Sequence, residues 1–349
     1  MGEYTTGRRD PRPTTAGTTL AYLPRMDRDG LRIKARCADP GTTFGFVMSR
    51  RIGDTLVSMV VVENLRRAGR SVVVFSDHLH ALRRWFPETD IRPLPAPEDR
   101  AAAWRPFDVL LHFRPADVCD EARADHPAVL VLDDLPEHRG PLMDMVSVHV
   151  EVARTVFGIA DPTRETGIRV PDDAGDSDVD PARIVIHPTA GHPRRAWRPA
   201  RFIEVAKRLR DRGRHPEFVT HPSEIDATSW IEDAGCVRFA AAELDALATR
   251  LATSAGFFGS DSGVAHLASC VGRPFVTLYV RRKVAIRWRP GWSEGETIRP
   301  VWPLVFKPLK ERFWAHAIPV SAAMAACDRV FGPGPGPRPG PGPIRNRSR

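Results

Sequence analysis

The chain of 349 residues has no apolar run long enough to span a bilayer. Its N-terminus carries charges and prolines and lacks the apolar h-region of a signal peptide, so a cytoplasmic protein is expected. Cysteine is scarce: Cys37, Cys119, Cys236, Cys270 and Cys327 are odd in number and widely spaced. With no C-x-x-C pair among them, neither a disulfide framework nor a cysteine zinc site is suggested, which again fits a reducing compartment. His78-Leu79-His80 and Asp133-Asp134 have the residue types of metal ligands but no partner cluster, so no metal and no cofactor are expected. Cys270 lies in an apolar stretch and reads as core.

No RNP, KH, zinc-finger or homeodomain pattern is present. The formal charge of +8 must therefore be located before it implies anything. Residues 1–36 hold eight Lys/Arg against four Asp/Glu, and residues 332–349 hold four Arg and no acid. The tails thus account for the excess, and the rest of the chain is about neutral. Basic tails attract polyanions without reading them, so no specific nucleic-acid partner is expected.

Residues 1–42 lack periodicity and read as a disordered preface. From Gly332 the tail alternates Gly and Pro, which neither forms a helix nor packs a core, so 332–349 reads as disordered too. Both tails are expected to be dispensable. Between them β-rich runs alternate with helical patterns. Strands are expected at 44–48, 71–75, 108–111, 128–132, 183–187, 216–220, 256–258 and 274–279. Helices are expected at 54–67, 78–85, 150–157, 200–211, 243–254 and 263–271. Such alternation predicts an α/β fold with parallel sheets covered by helices on both faces. Apolar strands without polar alternation fit sheets buried on both sides. Pro171 to Pro181 contains five aspartates and almost nothing apolar. That makes 171–182 an acidic linker between a domain at 43–170 and a second at 183–331. Ligands of such sheets bind at the C-terminal ends of the strands, here in a cleft between two domains.

Three segments follow strands and carry polar chemistry. In Phe257-Phe258-Gly259-Ser260-Asp261-Ser262-Gly263-Val264-Ala265-His266 a strand feeds a helix N-terminus, where free N–H groups and the dipole favour phosphate. Asp261, Ser262 and His266 add side chains for a ribose, a phosphate or a sugar hydroxyl. A plain helix cap is the competing reading. Phe44 to Leu56 reads as strand, turn and helix start, with Asp54 either a general base or an N-cap. Arg183 to Gly191 reads as a strand into a loop, Thr189-Ala190-Gly191, whose N–H groups are placed to approach phosphate. Arg195 follows as a cation for a departing diphosphate, with Arg194 and Arg198 as alternatives. The run Arg281-Arg282-Lys283, with Arg287 and Arg289, either lines the cleft or is a solvated loop.

Together Gly53-Asp54, Arg195-Ala196-Trp197 and Asp261-Ser262-Gly263-Val264-Ala265-His266 resemble the bacterial heptosyltransferases of glycosyltransferase family 9, over roughly Phe44 to Trp292. The resemblance implies a GT-B fold of two Rossmann-like doubly wound domains, with the final helix, at 315–330, crossing back onto the first. It implies an inverting, metal-independent transfer of a heptose-like sugar, with ADP-heptose the favoured donor, to a hydroxyl acceptor. Lipopolysaccharide core, a small molecule and a peptide all remain open as acceptors. Asp54 would be the base and Arg195 the diphosphate cation, with Thr189, Ala190, Gly191, Asp261, Ser262, Gly263 and His266 on the donor. Glu224 would hold the ribose. The family more often has Lys where Arg195 stands, a second Thr at Ala190, and an uninterrupted Trp-Pro where Trp197-Arg198-Pro199 stands. A monomer is expected, with peripheral membrane contact left open. A transferase with another donor, a sugar-nucleotide epimerase and a catalytically inactive nucleotide-binding scaffold are the alternatives.

Overall fold

A computed structural model describes residues 28–120, 122, 126–175, 179–191, 196–300, 314 and 317–334. The described strands form two wholly parallel sheets. The first contains β1 (Phe44–Val47), β2 (Val72–Phe75), β3 (Asp90–Arg92), β4 (Val109–His112) and β5 (Val129–Val131) in the order β3-β2-β1-β4-β5. Phe44 is in register with Val72 on one side and Val109 on the other. The second contains β6 (Asp180–His187), β7 (His215–Thr220), β8 (Val237–Ala240), β9 (Ser254–Ser260), β10 (Phe275–Leu278) and β11 (Gly295–Ile298) in the order β11-β10-β9-β6-β7-β8. Every residue of β1, β2, β4 and β10 is buried, as expected of strands covered on both faces. Strand order reverses between β1 and β4 and again between β6 and β9. These two switch points are where open α/β sheets leave a crevice for ligands.

The covering helices follow from their apolar spacing. They include α1 (Arg28–Ala38), α2 (Ile52–Arg67), α3 (Met145–Thr155), α4 (Pro199–Asp211), α5 (Leu244–Ala252), α6 (Gly263–Cys270) and α7 (Val320–Phe331). In α4, Pro199 occupies the first turn, and Phe202, Val205, Ala206 and Leu209 form the buried face. α2 is buried on every side from Asp54 to Leu65, because α3 packs on it from the first domain and α6 from the second. Among the described residues no helix is long and apolar enough to cross a membrane.

Four expectations need correction. Part of the supposed disordered preface is α1, whose Cys37 is fully buried and whose Arg36 pairs with Asp108. The linker ends earlier than expected: β6 begins at Asp180, which binds His215 Nδ1 at 2.7 Å and accepts from Ala182 N at 2.9 Å. The short strands β3, β8 and β11, all away from the sheet centres, were not anticipated. The last helix does not cross back: α7 packs on α4 and on β9, β10 and β11, burying Ala323, Met324, Ala326 and Cys327 within the second domain. The expectations for 1–27, for 335–349 and for most of 301–316 lie outside the described residues.

On the linker side a polar clasp joins the domains. Asp245, at the start of α5, accepts from Arg84 Nε and Nη2 at 2.5 and 2.9 Å and from Trp85 Nε1 at 2.8 Å. Arg84 Nη1 also reaches both oxygens of Asp173 in the linker, at 2.8 and 2.7 Å.

Candidate active site

Asp54 is not an N-cap. Arg51 holds that position in α2, and Asp54 sits in the first turn, directly beyond the end of β1. It is buried, and Arg114 grips it in a fork: Nε to Oδ2 at 2.6 Å and Nη2 to Oδ1 at 3.2 Å. Arg114 follows the end of β4, so the two residues face each other across the first switch point. Burial works against charge on Arg114, but Asp54, with Asp133 and Asp117 adding to it, holds the guanidinium above its ordinary value. Phe113 and Trp288, themselves in edge contact, lie against that guanidinium at 4.9 and 5.2 Å. Trp288 belongs to the second domain.

A second carboxylate shares this crevice. Asp117 follows β4 by a short turn, and its Oδ1 lies 3.4 Å from Ser49 Oγ, while Oδ2 is buried without a partner. Burial, with the charge of Asp54, pushes the Asp117 carboxyl above the usual carboxylate range.

The second domain brings a helix N-terminus to the same place. Gly263 opens α6 against the first turn of α2: a methyl group on it would lie 2.1 Å from Ile52 Cγ2 and 3.1 Å from Gly53 N. Gly53 in turn lies against His266, with 3.2 Å from an added methyl to Cδ2. Two glycines thus let the first turns of two helices meet, which brings the positive ends of both dipoles close together. Ser262 holds the N-cap position of α6, but its hydroxyl makes no cap bond and is buried without a partner. Its Oγ is therefore left for something the fold does not supply. His266 is buried between the edges of Trp288 and Trp292 at 6.3 and 6.2 Å, with Nδ1 unpartnered. Burial pushes its imidazole down to about 4. Asp261 directly follows β9 and donates its N–H to Leu278 O at 3.1 Å.

Thr189 and Ala190 follow β6, next to β9, and Thr189 Oγ1 lies 3.1 Å from His187 Nε2. Burial lowers His187 to about 4, opposed by the charge of Glu224. Gly191 is exposed, and among the described residues nothing lies where a methyl on it would point. Glu224 follows β7, where its Oε2 accepts from His221 N at 2.9 Å in a capping box. One carboxylate oxygen therefore has a local structural role. Arg195 lies outside the described residues. Gly53, the neighbour of Asp54, packs directly on Gly263 and His266. Thr189 and Glu224 stand at the same strand ends of the second sheet, on the β6 and β7 side of its switch point.

Arg114, Asp117, Trp288 and Trp292 were missed from sequence. Arg114 and Asp117 had a signal: they are the charged residues directly after an apolar central strand. Trp288 had none, since its role depends on how the two domains meet.

A cleft between two Rossmann-like parallel sheets, with helix N-termini and polar residues at the strand ends, is the GT-B glycosyltransferase architecture. A family model for glycosyltransferase family 9 (heptosyltransferase) matches residues 118–299, more than half of the chain. The chain belongs to this family and is a glycosyltransferase. Among solved structures it resembles the family 9 glycosyl transferase from Veillonella parvula DSM 2008, at 15% identity and a TM-score of 0.65, covering 84% of this chain and 99% of that one. It also resembles the E. coli ADP-heptose lps heptosyltransferase II, at 16% identity and TM-score 0.63, covering 83% and 98%. The E. coli heptosyltransferase WaaC with ADP is similar at 14% identity and TM-score 0.58, covering 82% and 99%. At these identities the likeness is one of fold. No curated protein sequence matches the chain.

Proposed function

We propose that the chain moves a heptose-like sugar from ADP-heptose to a hydroxyl acceptor, with inversion at the anomeric carbon. The first domain carries the acceptor side and the second the donor side. The observation that carries the reading is the meeting of α2 and α6 at Gly53 and Gly263, with the Ser262 hydroxyl buried and unpartnered beside it. A diphosphate held there would sit on a helix N-terminus, one turn from Asp54. The adenine rests on the ADP bound to the similar WaaC structure and on the resemblance in sequence.

In the proposed step the acceptor O–H bond breaks and its oxygen bonds to the anomeric carbon. The anomeric C–O bond to the diphosphate breaks, and the electron pair leaves with the diphosphate. Asp54 takes the proton. The α6 N-terminus, Ser262 and Arg195 receive the charge, so no divalent ion is required. Thr189, Ala190 and Gly191 line the phosphate side, and Asp261, Glu224 and His266 hold the rest of the donor. The protein is proposed to act in the cytoplasm as a monomer.

Mass spectrometry of the purified chain with a panel of nucleotide sugars tests the transfer, and calorimetry with ADP, UDP, GDP and dTDP tests the base. ADP should bind best. Preference for UDP or dTDP would sink the heptose donor and leave the glycosyltransferase standing.

A further inference from the structure

Four side chains form an unbroken stack across the domain boundary. His266 on α6 meets Trp288 edge-on at 6.3 Å, Trp288 covers the Arg114 guanidinium at 5.2 Å, and Arg114 grips Asp54 at 2.6 and 3.2 Å. Phe113 lies beside the same guanidinium at 4.9 Å and meets Trp288 edge-on, with ring centroids 6.1 Å apart. The ends of the stack are residues of the donor half and the acceptor half. Its middle is one cation against a corner of two aromatic rings.

We infer that Arg114 is a positioning residue that fixes the plane of the Asp54 carboxylate, and that Trp288 of the opposite domain seats it. The inference rests on Asp54 being the base. An aspartate carboxylate is free to rotate about its last torsion, and a planar guanidinium removes that freedom by binding both oxygens at once. A carboxylate has about four acceptor positions, so two remain for an acceptor hydroxyl. The fork itself must then be held. Arg114 sits at the mouth of the crevice, with 27% of its side chain exposed, while Asp54 shows 8%. Phe113, its own neighbour, and Trp288 of the opposite domain lie against the guanidinium from adjacent directions, their rings 6.1 Å apart. The quadrupole of Trp288 attracts the cation and its bulk helps to keep water off it. When the second domain moves away, that cover goes with it. The base is then aligned only in the arrangement that also brings the α6 N-terminus against α2. Alignment and donor capture become one event, which keeps Asp54 from activating water while the cleft is open.

The test follows release of ADP from ADP-heptose, with water as acceptor, for R114A, R114K, W288L, W288F and D54N. R114A should lower kcat about 100-fold with the donor KM changed less than about threefold, the size expected from a misplaced reacting group. Free guanidinium ion at tens of millimolar should restore about tenfold of that loss. R114K should not rescue, because an ammonium cannot bind both oxygens in one plane. W288L should lose about tenfold, W288F less, and W288L should add little to R114A. Independently of activity, R114A and W288L should be non-additive in denaturant unfolding by at least about threefold in the unfolding constant. R114A with wild-type kcat, equal effects on kcat and KM without guanidinium rescue, or additive unfolding of the pair would overturn the inference. D54N with wild-type turnover would sink the base instead. If wild type released no ADP, the donor proposal would fall, and the unfolding cycle alone would decide whether Trp288 seats Arg114.

Discussion

Replacing Gly263 by alanine puts a methyl group where the two domains touch. Two effects oppose each other. Alanine is the better helix former, by up to about 1 kcal/mol in a helix interior and less at the first position. The methyl, however, would sit 2.1 Å from Ile52 Cγ2 and 3.1 Å from the backbone N of Gly53. Ile52 is β-branched and stands in the first turn of α2, so its Cγ2 has few places to go. Overpacking of this kind costs about 1–3 kcal/mol, and the cheapest relief is for α6 to back away from α2. The clash outweighs the propensity gain. Displacement of that equilibrium by about 1–3 kcal/mol lowers the equilibrium constant for the closed arrangement about 5–150-fold. Set against an apolar core that runs continuously through both domains from Phe44 to Phe275, a loss of that size should move thermal unfolding by only a few degrees while kcat/KM falls by up to that larger factor. Steady-state kinetics beside a thermal melt would read both. The double variant G263A/I52A removes the offending Cγ2 and should recover most of the activity. Gly263→Ala working within twofold of wild type, or a loss that Ile52→Ala leaves untouched, would refute the argument that close packing of these two helices sets the rate.

Asp54→Asn should depress kcat by about 10²–10⁴ with little change in donor affinity, measured by turnover and calorimetry together. Asp261→Ala and Glu224→Ala should instead raise the donor dissociation constant, with the kcat of saturated enzyme largely kept. EDTA should leave activity intact, and activity abolished by EDTA and restored by magnesium would refute that. His149 is fully buried in the first domain, where its Nδ1 lies 2.9 Å from Val57 O and burial pushes it down to about 3. The unfolded chain protonates below about 6.5 and the folded chain resists, so its contribution is whole above pH 6.5 and drains as pH falls toward about 3. Denaturant melts should show a loss on the order of 2 kcal/mol at pH 5, and His149→Phe should flatten the slope. Deletion through residue 40 should destabilise the first domain, since it removes buried Cys37 and the Arg36–Asp108 pair; an unchanged melt would return α1 to the status of a dispensable tail.

The central strands were legible because they are buried on both faces. Val72 to Phe75 shows it as an unbroken apolar run, and Phe275 to Leu278 as one interrupted only by Thr277. The edge strands gave no such signal: in Asp90–Arg92 only Ile91 is buried, and Val237 is 56% exposed. α1 was hidden by its charges, with only Cys37 fully buried among a mainly polar turn sequence. At the site, Asp54 and Asp261 to His266 stood out because strand-to-helix junctions concentrate unpaired N–H groups. Arg114 and Trp288 did not, because a guanidinium 60 residues from its carboxylate and a ring from the opposite domain meet only in the folded chain. The crossing-back of the last helix was an expectation taken from the resemblance alone, and the apolar face of α7 belongs to the second domain instead.

Arg84 ties Asp173 and Asp245 with one guanidinium, so the start of the linker and the second domain share an anchor. A slack linker would let two domains tumble, shear or twist. Here the slack is taken up, and motions that keep Arg84 and Trp85 on Asp245 resemble a book opening along its spine. The spine is made of partly exposed charges, which salt screens over about 8 Å at physiological ionic strength. Raising salt should therefore loosen this polar clasp before it loosens the apolar core that both domains share.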